Sequence, residues 1–159
     1  MKDGFIKVAA ASPMIKVADA SYNAGKVIEC MKKASDEGVK VLVFPELTLT
    51  GCSCYDLIGH SVILRGAEAA LERVIEASAG SDMLVIVGLP YAPRGGALYS
   101  VAAVVSDGEL LGLVPRSETD GTLFAAADDE GGEETVCGKF DAFFDTELLF
   151  TSDVLPGLS

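Results

Sequence analysis

The sequence is short of basic residues, with 12 lysines and arginines against 24 aspartates and glutamates, for a formal charge of -12. A chain so acidic repels phosphate backbones and anionic lipid heads, which excludes nucleic acid and membrane surfaces as partners. Cysteine is scarce too. Cys30, Cys52, Cys54 and Cys137 are too few for a disulfide scaffold, and Cys52 and Cys54 stand too close in sequence to cross-link usefully. The thiols therefore read as reduced and the compartment as cytoplasmic. Long apolar runs are missing as well. MKDGFIKVAAASP lacks the core of a signal peptide, and no later stretch approaches the roughly 18 apolar residues of a membrane span. What is present is a chain of 159 residues, half of them apolar, enough to bury the core of one domain.

The order of patterns points to an α/β fold. Ile6 to Ala10 is a short apolar run closed by Ser12-Pro13, which predicts a buried first strand. Val27, Cys30, Met31 and Ala34 then recur at helical spacing, with Asn23 expected to cap that helix and Gly38 to end it. Val39 to Phe44 reads as a strand covered on both faces, ending at Pro45. The unit repeats: Ala67, Ala70, Leu71, Val74 and Ile75 draw a second helical stripe, Gly80 stops it, and Met83 to Val87 forms another strand. Leu98 to Val105 and Glu109 to Val114 flank Ser106-Asp107-Gly108, a hairpin signal. Ser117 to Glu134 loses all period and gathers acid, which predicts an exposed, mobile acidic loop inside a single domain spanning residues 1–159. Val136 to Phe150 then supplies one or two further strands.

The chemistry concentrates in FPELTLTGCSCYDL, where a buried strand ends in Pro45 and at once presents Glu46. Carboxyl ends of strands in α/β sheets are where ligands bind, and a carboxylate there can act as a general base. It can equally cap the following turn or pair with a basic side chain, and spacing alone leaves both readings open. Cys52, Cys54 and His60, with Cys137 as a fourth, offer soft metal ligands, but their spacing fits no common zinc pattern. His60 reads as a helix-end or surface histidine. Gly51, Gly95-Gly96 and Gly108 lie in no phosphate-binding turn followed by lysine and serine or threonine, and turn geometry accounts for them.

Taken together, MKDGFIKVAAASP, NAGKVIECMKKASDEGVKVLVFPEL, TLTGCSCYDL, VIVGLP, GGALYSVAAVVSDGELLGLVP and VCGKFDAFFDTELLFTSDVLPGLS occur in the order and spacing of one family. The chain resembles the amino-terminal glutaminase domain of glutamine-dependent NAD synthetases, a nitrilase-type carbon-nitrogen hydrolase. The resemblance implies a nitrilase-like α-β-β-α sandwich, of which this chain supplies the first part. It also implies a glutamate, lysine and cysteine catalytic group acting on glutamine. Glu46 matches the glutamate as general base, and Arg116 stands at the lysine position. The family's cysteine lies beyond the sequence corresponding to SDVLPGLS, so no residue of this chain occupies the nucleophile position and the chain alone is expected to be inactive. ATP and deamido-NAD would belong to a separate synthetase domain, so no cofactor or metal is expected here. The family packs such domains together, which implies a homo-oligomer; a non-catalytic binding or assembly module is the alternative.

Overall fold

A computed structural model describes residues 5–93, 96–127, 132–146 and 148. Among the described residues, seven strands form one mixed sheet: β1 (Val8–Ala10), β2 (Val41–Val43), β3 (Leu84–Tyr91), β4 (Tyr99–Ser106), β5 (Glu109–Pro115), β6 (Gly132–Val136) and β7 (Phe140–Phe144). Their order across the sheet is β1-β2-β3-β4-β5-β7-β6. β1, β2 and β3 run parallel, as the strand-helix-strand pattern predicts, and β3, β4 and β5 form an antiparallel meander. The β4–β5 turn is set by Asp107 and Gly108 at φ 47° and 79°, the left-handed pair that a two-residue hairpin requires.

Two helices cover one face of this sheet, α1 (Ala20–Asp36) and α2 (Ser61–Ser78). Val27, Met31 and Ala34 of α1 and Ala67, Ala70, Leu71, Val74 and Ile75 of α2 are all buried, so the helical stripes read in the sequence are the packed faces. They meet Leu42, Val85, Val87, Leu89, Val101, Ala103 and Val105, which alternate along the strands on the same side. Each such valine, leucine, isoleucine or methionine side chain taken out of water contributes about 1.5–3 kcal/mol. This is the helix-on-sheet half of the expected sandwich.

Four expectations are corrected. Asn23 does not cap α1, because the helix begins earlier, with the Asp19 carboxylate accepting from Tyr22 N–H. Asn23 is instead fully buried, and its amide bonds to the Lys16 N–H, the Lys16 carbonyl and the Leu49 carbonyl, pinning the 11–19 loop to the segment after β2. β1 is not buried and β2 is not covered on both faces, since Val8, opposite Val41 in the register, is 62% exposed and Val43 is 38% exposed. The acidic stretch does not run as a loop to Glu134, because Glu133 and Glu134 pair with Phe143 and Ala142 in the β6–β7 hairpin. Residues 117–127 do form an irregular, largely exposed loop; residues 128–131, and Phe150 at the end of the last predicted strand region, lie outside the described residues. No helix among the described residues is long and apolar enough to cross a membrane.

Candidate active site

After Val43 the chain does not enter a helix. Residues 44–51 turn across the carboxyl half of β3, held at one end by the Phe44 N–H donating to the Ile86 carbonyl (2.9 Å) and at the other by the Leu49 N–H donating to the Gly88 carbonyl (3.1 Å). Inside the turn the Thr48 hydroxyl donates to the Pro45 carbonyl at 2.5 Å, and the Gly51 N–H to the Leu47 carbonyl at 2.7 Å. Leu47 adopts φ 53°, a left-handed conformation unusual for a residue with a side chain, and its buried packing with Cys54 and Ile58 helps to hold it there. The turn lies on β3 with backbone touching backbone. A Cβ on Gly88 would stand 2.5 Å from Leu47 N, 2.7 Å from the Pro45 carbonyl oxygen and 2.8 Å from Glu46 Cα.

Glu46 therefore has a fixed main chain and a half-exposed carboxylate. Its Oε1 accepts from the Ser100 hydroxyl at 2.7 Å, and Arg116 Nη1 approaches the same oxygen at 3.5 Å. Ser100 is only 3% exposed, and its carbonyl accepts the Arg116 N–H at 2.9 Å, so one residue of β4 touches both charged partners. The Arg116 carbonyl accepts from Ala127 N–H, which folds the acidic loop back over the end of β5. Asp120 in that loop is held below its usual pKa, first by the Thr122 N–H and hydroxyl, with Arg116 adding its positive charge. Together these groups edge a cleft of about 420 Å³ floored by apolar atoms of Val43, Ile86, Val101 and Val114. The sequence places Glu46 and Arg116 70 residues apart, and the fold joins them in one ion pair. A carboxylate beside a guanidinium over an apolar floor can accept a proton and can stabilise negative charge arising beside it.

The other candidates go elsewhere. Cys54 is buried with its thiol on the Thr50 carbonyl, and Cys137 donates to the Glu68 carbonyl of α2. Burial, with the charges of Glu68 and Glu72 behind it, pushes the Cys137 thiol up to about 11. Cys52 is exposed and its thiol faces the Glu46 carbonyl at 3.7 Å, on the backbone of the acid rather than on its carboxylate. His60 precedes α2, exposed, as a helix-end residue. Among the described residues no three His, Cys, Asp or Glu side chains gather as a metal site.

Two site residues escape sequence reasoning. Ser100 is the lone serine in the run YSVAAVV, and Gly88 interrupts the strand VIVGLP, a known mark of close backbone approach. Both signals exist, but each partner lies dozens of residues away.

The carbon-nitrogen hydrolase profile matches residues 7–138, and the chain belongs to that family. Among curated relatives it is 34% identical over 161 residues to the glutamine-dependent NAD(+) synthetase of Mycobacterium tuberculosis, covering 97% of this chain and 23% of the relative. The Mycobacterium leprae synthetase is 32% identical over 98% of this chain and 24% of its own length. The chain thus spans about a quarter of the length of the relatives it matches. Among solved structures, a glutamine-dependent NAD(+) synthetase from Cytophaga hutchinsonii superimposes with a TM-score of 0.81 at 20% identity, over 93% of this chain and 26% of that one. An amidase from Nesterenkonia sp. gives 0.64 at 16% identity, over 82% of this chain and 51% of that one. At these identities the superpositions speak for the fold.

Proposed function

We propose that this chain carries the acid-base side of a glutamine-hydrolysing site, in a protein that releases ammonia from glutamine for the amidation step of NAD synthesis. The observation that carries the reading is the meeting of Glu46, Ser100 and Arg116 at the carboxyl end of the parallel strands. In this role Glu46 takes the proton of an attacking thiol, the thiolate adds to the amide carbon, and Arg116 faces the oxyanion that develops. Arginine at this position is a weaker fit than lysine, because its planar fork carries the charge farther from the backbone and is here turned toward Glu46. The ammonia acceptor, ATP and deamido-NAD belong to a separate synthetase domain, and this chain binds no cofactor or metal of its own. With all four cysteines free, a reducing cytoplasm suits it.

The 159-residue polypeptide alone does not turn over glutamine, since no thiol among the described residues contacts the Glu46 carboxylate or Arg116. The test is ammonia release from glutamine. It is run on the polypeptide alone and on a chimera in which it replaces the matching segment of the M. tuberculosis relative. Activity in the chimera and none in the isolated chain supports the reading; an inactive, folded chimera refutes it.

A second reading rests on the sheet face opposite the helices. Val8 and Val43 lie exposed there, beside the partly buried Val41, Ile86 and Val114. An apolar face of this kind favours association, and the chain acts in this reading as an assembly module that pairs with a second copy. Sedimentation of a compact monomer across the micromolar range would count against it.

A further inference from the structure

We infer that Ser100 is a positioning residue that makes Oε2 of Glu46, rather than Oε1, the proton-accepting oxygen; the inference rests on the proposed role of Glu46 as a base. Among the described residues, the two hydrogen bonds to the Glu46 carboxylate fall on the same atom. Oε1 receives the Ser100 hydroxyl at 2.7 Å and Arg116 Nη1 at 3.5 Å. A carboxylate oxygen that already accepts a short hydroxyl bond has its electron density drawn toward that donor, so an incoming proton is better received on the other oxygen. The donor is a rigid one. Ser100 sits opposite Pro90 in the β3–β4 ladder, is 3% exposed, and has its own carbonyl engaged by Arg116 N–H. The Glu46 side chain is half exposed, and among its described contacts only the Ser100 bond is short. Without it the carboxylate is free to sample its rotamers in solvent, and the acid and the cation lose their common template.

This gives Ser100 a different standing from an ordinary buried hydroxyl. Ser106, on the same strand, donates to the Met83 carbonyl and serves the ladder alone. Ser100 instead reaches across the sheet surface to a charged group on a turn 54 residues away in sequence.

The test uses the 159-residue chain with glutamate labelled at its carboxyl carbon, read by NMR at constant neutral pH. In the parent the Glu46 carboxyl resonance should stand apart from those of exposed glutamates, and side-chain couplings should report one rotamer. Ser100→Ala should move that resonance into the exposed-glutamate range and average the couplings, while Arg116 amide exchange changes less than about twofold because the Ser100 carbonyl is kept. Ser100→Thr, which restores a hydroxyl, should return both signals toward the parent. Unchanged resonance and couplings in Ser100→Ala overturn the inference. If Ser100→Ala does not fold, Glu46→Ala, which removes the acceptor, reads the same bond from its other end: a displaced Ser100 Cβ resonance supports it, and an unmoved one overturns it. None of these signals depends on glutamine turnover. A positive result beside an inactive chimera would retain the positioning of the carboxylate and remove its role as a base.

Discussion

Replacing Gly88 by alanine probes the contact on which the position of Glu46 depends. The added methyl would lie 2.5 Å from Leu47 N, 2.7 Å from the Pro45 carbonyl oxygen and 2.8 Å from Glu46 Cα, all main-chain atoms of a turn held at both ends. Comfortable contacts are about 3.5–4.0 Å, so the turn must retreat by roughly 1 Å. That retreat stretches the Leu49-to-Gly88 bond and draws Glu46 from Ser100. Overpacking costs about 1–3 kcal/mol and a lost hydrogen bond about 0.5–1.5, giving about 2–4 kcal/mol together. In urea unfolding followed by circular dichroism, the midpoint should fall by about 1–2 M. Gly25→Ala is the control. Nothing lies within 4 Å of its Cβ position in the interior of α1, so it should gain about 0.5–1 kcal/mol. Equal effects of the two substitutions, or a Gly88→Ala protein as stable as the parent, would refute the backbone-contact reasoning.

Further outcomes follow from other sites. Asn23→Ala removes three hydrogen bonds from a buried bracket and should cost about 3 kcal/mol, lowering Tm by about 6–12 °C. A loss under 0.5 kcal/mol would show that the 11–19 loop is held by other contacts. Cys137 has a folded-state pKa raised from the ordinary 9.0 to about 11, by burial first and the nearby carboxylates second. Above pH 9 the unfolded thiol gives up its proton while the folded one keeps it, so the unfolded state binds fewer protons and stability falls as pH climbs from 9 to 11. Because the thiol stays partly open to water, the change is about 1 kcal/mol, and Cys137→Ala should remove it. Thiol labelling at pH 8 should modify exposed Cys52 first and Cys137 much later; the reverse order would contradict the described burial.

Local patterns carried most of the fold. The helical stripe at Val27, Met31 and Ala34 and the Asp107-Gly108 turn depend on neighbours within a few residues, and both are in place. Reading failed where a local rule had a distant competitor. Asn23 has the chemistry of a helix cap, but Asp19 holds that position, and tertiary bonds to Lys16 and Leu49 claim the amide. β3 runs past Val87 through Gly88 and Pro90 to Tyr91, two residue types that usually interrupt strands. Here the missing Cβ at Gly88 admits the Glu46 turn. The apolar run before Pro45 promises two covered faces, yet one face of β2 is open at Val43. At the site, Glu46 was legible because its strand ends beside it, and Arg116 through the family pattern. Ser100 was not, because a serine in a strand shows its partner only once the sheet and the turn are assembled.

In the proposed site the Glu46 carboxylate removes a proton during amide hydrolysis. The most direct measurement is glutamine-dependent ammonia release by the chimera carrying Glu46→Gln, which keeps the shape and the acceptor for Ser100 but not the base. A fall in kcat of at least about 10²-fold with the fold intact is expected. A Glu46→Gln chimera that releases ammonia at the parent rate would contradict it.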